Sequence, residues 1–96
     1  MAIIAIIELP GVTKEQYQAN HANIHAAPWW PAEGFISHVG APADGSWLVV
    51  DVWESKEALA AFMEKAATIF EAGGMPRVEP KIYEAVNVDI GESGRR

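Results

Sequence analysis

Two segments of this sequence are apolar at nearly every position, and they constrain the fold more than any other feature. Residues 2–9 are AIIAIIEL and residues 46–53 are SWLVVDVW, both rich in the β-branched and aromatic residues that favour strands. A strand with one solvated face alternates apolar and polar residues, whereas these two carry apolar residues on both faces. We therefore expect a sheet that is covered on both sides.

A helix is predicted after the first of these strands. Thr13 can cap its N-terminus and Gln16 can complete a capping box, while Val12 and Tyr17 are spaced for a hydrophobic staple. We expect this helix to end near residues 24–27, before a turn-rich Pro-Trp-Trp-Pro sequence.

The rest of the chain repeats the alternation of strand and helix. Gly and Pro mark the turns, Ser55 is a second N-cap, and apolar residues recur at helical spacing after it. The predicted spans are strand 34–41, turn 42–45, strand 46–53, helix 56–72 and strand 80–89. The predicted fold is therefore α+β, a ferredoxin-like βαββαβ domain with a four-stranded antiparallel sheet and two helices on one face.

Two helices can cover only one side of such a sheet. A second copy of the same sheet is the simplest cover for the other side, so we expect a homodimer. The predicted domain spans residues 1–90, and residues 91–96 are expected to form a disordered tail.

Composition excludes several classes of function. The 96 residues carry a net charge of −6 with only seven Lys and Arg, which does not favour nucleic acid or an anionic membrane as a partner. Cysteine is absent, so disulfides and thiolate chemistry are excluded. The apolar start lacks a basic n-region and is too short to span a bilayer, so we expect a cytoplasmic protein. No glycine-rich phosphate loop or nucleophile elbow is present, and we expect no cofactor.

One histidine is predicted to pair with an aspartate across the hairpin. If the hairpin closes around Ala41 and Ser46, His38 lies opposite Val49 and diagonal to Asp51, within side-chain reach. A carboxylate beside an imidazole fixes its tautomer and is typical of acid–base chemistry. The alternative is that Asp51 only satisfies a polar neighbour, since a carboxylate in an apolar strand is costly without one. Two indoles share this face, those of Trp47 and Trp53, as candidate substrate-binding walls.

The first helix supplies further candidates at i, i+4 and i+8. Tyr17 and His21 are predicted to point toward the sheet, where they either meet His38 as donors or bases or are only hydrogen-bonded core side chains. His25 lies further round the helix and is expected to have only a structural role, exposed to solvent. Two histidines at this spacing can also bind a divalent metal with His38 as a third ligand, but a metal-free site is our prediction.

Aromatic and sulfur-containing residues complete the predicted pocket. The prolines restrict the loop that carries Trp29 and Trp30, which can place both indoles over a pocket mouth or a subunit seam. Phe62 and Met63 of the second helix either belong to the core or line the same pocket.

Residues 2–88 resemble the dimeric α/β-barrel superfamily, which includes antibiotic-biosynthesis monooxygenases, polyketide cyclases and muconolactone isomerases. The likeness is carried by VDVWES at residues 50–55, followed by Glu57-Ala58-Leu59 and Phe62, and is similar to a strand–Trp–Ser–helix junction common in those proteins. It implies two sheets facing each other in a barrel, with ligand pockets between each sheet and its own helices.

The resemblance and the predicted pocket together suggest three functions. The first is a cofactor-independent, monooxygenase-like enzyme acting on a hydrophobic aromatic or polyketide-like molecule. The second is an acid–base cyclase or isomerase that uses His38 and Asp51 with Tyr17 or His21. The third is a non-catalytic dimeric protein that binds a small ligand. Heme-degrading relatives often carry a histidine in the second helix; this chain has none there, so heme is not expected.

Overall fold

The computed structural model describes residues 1–91 and contains four strands and two helices in the predicted order. The elements are β1 (Ile3–Pro10), α1 (Lys14–His25), β2 (Phe35–Ala43), β3 (Ser46–Trp53), α2 (Lys56–Ala72) and β4 (Lys81–Glu84). Most of the predicted disordered tail, residues 92–96, lies outside the described residues. Within residues 1–91, neither helix is long and apolar enough to cross a lipid bilayer.

The four strands form one antiparallel sheet in the order β2-β3-β1-β4. The two sequence-adjacent strands β2 and β3 form a hairpin, and β1 lies between β3 and β4, as the split βαβ pattern requires. The predicted α+β ferredoxin-like fold is confirmed.

Both helices begin at the predicted caps. The Thr13 side chain accepts a hydrogen bond from the backbone of Gln16 (3.1 Å), and the Ser55 side chain accepts one from the backbone of Ala58 (3.0 Å). The capping box is only half formed, because the Gln16 side chain donates to the carbonyls of Gly73 and Gly74 at 2.9 and 3.1 Å. Gln16 therefore ties the end of α2 to the start of α1.

The β2–β3 hairpin is longer than predicted, and its register differs by two residues. Ala43 pairs with Ser46 across a two-residue Asp44-Gly45 turn, where Gly45 takes a positive φ of 67°. The prediction that Ala41 pairs with Ser46 was wrong because it allowed four residues for the turn. In the observed register His38 lies directly opposite Asp51 rather than diagonal to it.

A β-bulge interrupts β2 between Phe35 and Ser37. Strict alternation would place Phe35 and His38 on opposite faces, but the extra residue brings both to the face that the helices cover. Phe35 then pairs with Trp53, and its ring lies 5.4 Å from the indole.

The last strand is shorter than predicted. It ends at Glu84 instead of residue 89, and residues 85–91 form no regular element. Alternate apolar side chains of this segment are nevertheless exposed, with Val86 99% accessible.

The two faces of the sheet differ in how well one copy of the chain covers them. The helix-covered face holds most of the buried core, including Ile3, Ala5, Val49 and Trp53. The opposite face, called the open face below, carries Ile4, Ile6, Val39, Leu48, Val50, Val52 and Tyr83. None of these seven side chains is buried; Val39 is 62% accessible and Tyr83 is 56% accessible.

Candidate active site

A cavity of about 510 Å³ lies between the helix-covered face of the sheet and the two helices. A volume of this size suits a small organic ligand, and ligand pockets of this kind are mostly apolar with a few convergent polar groups. Side chains from β1, β2, β3, α1 and α2 line it, together with the segment between α2 and β4. The polar and charged groups on its wall are Tyr17, Asn20, His21, His25, His38, Asp51, Glu71 and Arg77.

The centre of the polar wall is a chain of hydrogen bonds across the β2–β3 hairpin and α1. His38 and Asp51 face each other in register, and the imidazole Nδ1 lies 2.6 Å from Asp51 Oδ1. On the other side of the ring, Nε2 lies 2.5 Å from the Tyr17 hydroxyl. Three side chains from three elements thus form one connected acid–base group.

The partners of His38 assign its tautomer. The ionised carboxylate of Asp51 can only accept, so Nδ1 carries the proton and donates to it. Nε2 is then an acceptor, and the Tyr17 hydroxyl donates to it. The ring is thereby oriented with its basic nitrogen toward Tyr17 and the cavity.

Asp51 is only 5% accessible, so its carboxylate depends on partners inside the protein. Its second oxygen, Oδ2, accepts a hydrogen bond of 3.1 Å from the indole nitrogen of Trp53. Trp53 stands two residues along β3 on the same face and is 1% accessible. The indole of Trp53 therefore holds the carboxylate of Asp51 in the orientation in which it bonds to His38.

Tyr17 is held in place by stacking as well as by hydrogen bonding. Its ring stacks on the buried indole of Trp47, with centroids 4.8 Å apart. Burial, and secondly the negative charge of Asp51, raises the pKa of the Tyr17 hydroxyl above its usual value of 10.0. Tyr17 is therefore a protonated hydrogen-bond donor at neutral pH.

The two other histidines, His21 and His25, lie one after the other on α1, leading from His38 toward the surface. The ring centroids of His21 and His38 are 5.7 Å apart, and the ring of His21 stacks on that of His25 with centroids 4.1 Å apart. The ring of His25 in turn lies 4.7 Å from Trp30. Burial, and then the neighbouring His25 and His38, lowers the pKa of His21 below 6.5, so this ring is neutral at pH 7.

No three His, Cys, Asp or Glu side chains of residues 1–91 are grouped in a way that would hold a metal ion. His21 stacks on His25 with the ring planes 30° apart, which brings the ring faces, rather than two nitrogen lone pairs, toward each other.

The far end of the cavity is aromatic. The rings of Trp53 and Phe62 lie 4.9 Å apart, and Trp30 and Phe35 lie at the same distance from each other. These four residues and Met63 line the cavity. Their flat, polarisable faces favour an aromatic or otherwise planar ligand.

Two of the predicted wall residues lie elsewhere. Trp47 is buried beneath Tyr17 rather than on the cavity wall, and Trp29 packs edge-on against Phe62 at 5.8 Å. His25, which was expected to face solvent, is exposed but still borders the cavity.

Sequence reasoning missed Asn20 as a wall residue. Its side chain lines the cavity and is 7% accessible, and its Oδ1 has no hydrogen-bond partner within the described residues. A buried amide oxygen without a partner costs free energy. The signal that could have found it is position, because Asn20 lies three residues after Tyr17 on the same helix.

The segment from Gly74 to Val78 was also missed, since it has no regular structure and no pattern marks it. It forms one wall of the cavity. Arg77 and Glu71 face each other there at 3.7 Å, and both side chains are largely exposed.

Neither of two sequence comparisons identifies a relative. No family model matches the chain, and no curated protein matches it.

Solved structures do match, and they share the fold. A protein from Chloroflexus aurantiacus assigned to the antibiotic biosynthesis monooxygenases superimposes with a TM-score of 0.65 at 18% identity, over 93% of this chain and 97% of that one. SnoaB from Streptomyces nogalater, described as a cofactor-independent oxygenase, superimposes with a TM-score of 0.61 at 17% identity, over 91% of this chain and 94% of SnoaB. A protein from Nitrosomonas europaea assigned to the antibiotic biosynthesis monooxygenases also has a TM-score of 0.61 at 17% identity, over 88% of this chain and 90% of that one. The chain thus has the ferredoxin-like fold of these monooxygenase-type structures.

Proposed function

We propose that this protein is a cofactor-independent, monooxygenase-like enzyme that acts on a hydrophobic aromatic or polyketide-like molecule. The observation that carries the proposal is the Asp51–His38–Tyr17 hydrogen-bond chain on the wall of an otherwise apolar cavity. Such a group can remove a proton from a bound molecule, and the apolar surroundings strengthen its electrostatic effect. The shared fold with SnoaB is compatible with this chemistry.

The proposed reaction begins with proton transfer. A phenolic substrate with an acidic C–H group loses that proton to Nε2 of His38, through the hydroxyl of Tyr17, while Asp51 stabilises the imidazolium that forms. The resulting carbanion is electron-rich and reduces O₂. For a methylene group, one oxygen atom becomes a new carbonyl and the other leaves as water with the two hydrogens of the methylene.

A second candidate is an acid–base cyclase or isomerase that needs no oxygen. It is favoured by the raised pKa of Tyr17, which keeps the hydroxyl protonated at neutral pH. The Tyr17 hydroxyl would then turn from His38 to donate to a substrate carbonyl oxygen, which frees Nε2 of His38 to accept a proton from carbon.

The active protein is, in this proposal, a homodimer. The open face exposes Val39 and Tyr83, and an apolar sheet face of this extent is unusual on a monomer. A second copy that packs its own open face there would bury these side chains symmetrically.

The enzyme proposal is tested with 1,8-dihydroxyanthrone as the probe, a planar phenol with an acidic methylene. Oxygen uptake and quinone formation are followed with the wild-type protein after subtraction of the spontaneous oxidation. We expect His38→Ala and Asp51→Asn to lower turnover by about 10²-fold or more. Asp44→Asn, in the exposed hairpin turn, is the matched control and should leave turnover unchanged.

Probe binding, followed by tryptophan fluorescence, separates the alternatives. Turnover that survives His38→Ala would contradict the proposed role of the hydrogen-bond chain. Saturable binding with no catalysed oxygen uptake would instead favour a binding protein or the acid–base candidate. These two are distinguished by whether the protein accelerates hydrogen–deuterium exchange at the methylene under nitrogen.

A further inference from the structure

Gly40 stands in the middle of β2, where glycine is normally disfavoured. It pairs with Val49 on the helix-covered face of the sheet, two residues after His38. Glycine weakens a strand because it loses more conformational freedom on folding and has no side chain to pack. Its φ is not positive, unlike those of Gly11, Gly34, Gly45 and Gly74, so the backbone conformation does not require glycine here.

The space beside Gly40 is occupied by Tyr17. A Cβ atom built on Gly40 would lie 2.5 Å from Tyr17 Cζ and closer still to the hydroxyl oxygen, distances that non-bonded carbon atoms do not tolerate. It would also lie 3.0 Å from the indole nitrogen of Trp47, whose ring supports the Tyr17 ring from below. The hydroxyl of Tyr17 therefore occupies the space over β2 that a side chain at position 40 would fill.

We propose that Gly40 is a positioning residue for Tyr17: the missing side chain lets the hydroxyl pass over β2 and bond to Nε2 of His38. This inference rests on the proposed function only for its catalytic consequence. An alanine at position 40 should displace the free end of Tyr17 and break the Tyr17–His38 bond. It should leave the bond between His38 and Asp51 intact, because the three atoms nearest to a Cβ at position 40 belong to Tyr17 and Trp47.

The inference makes position 40 decide whether Tyr17 and His38 are bonded to each other. With glycine at this position, the hydroxyl of Tyr17 donates its hydrogen bond to His38 and the two side chains act together. With any larger residue, His38 Nε2 would face the cavity alone, and Tyr17 would be a separate wall residue.

The direct test is the Gly40→Ala protein studied by long-range ¹H–¹⁵N NMR of its imidazole rings at neutral pH. We expect the Nε2 resonance of His38 to shift to the position seen in Tyr17→Phe, which lacks the donor. The Nδ1–H signal that reports the bond to Asp51 should remain. Ala41→Ser, which also adds one heavy atom to β2 but on the open face, should leave the wild-type spectrum unchanged.

A double-mutant cycle shows whether Gly40 acts through Tyr17. In a Tyr17→Ala background the obstructing ring is absent, so Gly40→Ala should cause no further change at His38. A wild-type Nε2 resonance in Gly40→Ala would overturn the inference, and so would an equal shift in both backgrounds.

Turnover of the anthrone probe separates this inference from the proposed function. We expect Gly40→Ala to match Tyr17→Phe, with kcat lowered by about 10²-fold and little change in probe affinity. If the His38 resonance shifts as expected but turnover does not fall, the positioning role stands and the catalytic role of Tyr17 is wrong.

Discussion

At the scale of single residues, the site depends on polar atoms that share one buried carboxylate. Asp51 accepts from His38 through one oxygen and from Trp53 through the other. Hydrogen bonds to a charged group are stronger than those between neutral groups. A buried charge that loses such a bond therefore lowers the free energy of unfolding. The indole of Trp53 therefore contributes to the electrostatics of the site as well as to the core.

We predict that Trp53→Phe is more destabilising than Trp47→Phe by about 1–3 kcal/mol. Both changes remove the same ring atoms from buried positions, but only Trp53 donates to Asp51, whereas the indole nitrogen of Trp47 has no partner within residues 1–91. Urea unfolding of the two variants measures the difference. Equal losses would show that the bond from Trp53 does not stabilise the carboxylate.

At the scale of elements, the helices and strands were largely predictable because their signals are local. The caps at Thr13 and Ser55 and the apolar spacing of α2 fix where helices begin and which way they face. The order of the elements followed from these signals, and the split βαβ pattern supplied the topology.

The details of pairing were less predictable because they depend on small shifts of register. The hairpin turn uses two residues, which moved His38 from a diagonal position to one directly opposite Asp51. The bulge after Phe35 has no marker in the sequence, and the short β4 leaves a segment with strand-like alternation unpaired. The wall near Gly74 was not predicted, because local hydrogen bonds to the end of α2 hold it together with a contact from Gln16, 58 residues earlier.

That contact leads to a prediction for the cavity wall. Gln16→Glu keeps the size of the side chain but replaces its amide donor with an acceptor, which the carbonyls of Gly73 and Gly74 repel. We expect the amide hydrogens of Gly74 and Met75, which bond to the end of α2, to exchange about 3- to 10-fold faster. Gln18→Glu, exposed on the same helix, is the matched control, and equal exchange in both variants would show that Gln16 does not hold the wall.

At the scale of the whole molecule, residues 1–91 leave one face of the sheet uncovered. Ile6 and Val50 are side by side on the open face and only partly buried, and Val39 beside them is largely exposed. The same uncovered face is what the apolar strands of the sequence predicted. A second copy remains our proposal for its cover.

We predict that Val39→Lys converts the protein from a dimer to a folded monomer. A lysine within a packed interface would have to be buried without a partner, so the dimer should weaken by at least about 100-fold. Light scattering coupled to size-exclusion chromatography at micromolar concentration measures this. Thr68→Lys, at an exposed position of α2, adds the same charge as a control, and a wild-type protein that elutes as a monomer would contradict the dimer.

The bulge in β2 has a consequence for how such a site is gained or lost. Phe35, which belongs to the aromatic wall, and His38 are three positions apart in the chain. They lie on the same face of β2 only because the bulge places one extra residue between them. Without the bulge, strict alternation over the same chain length would turn either the ring of Phe35 or that of His38 to the open face, without altering a single functional side chain. The bulge therefore allows two side chains that are an odd number of positions apart to line one cavity.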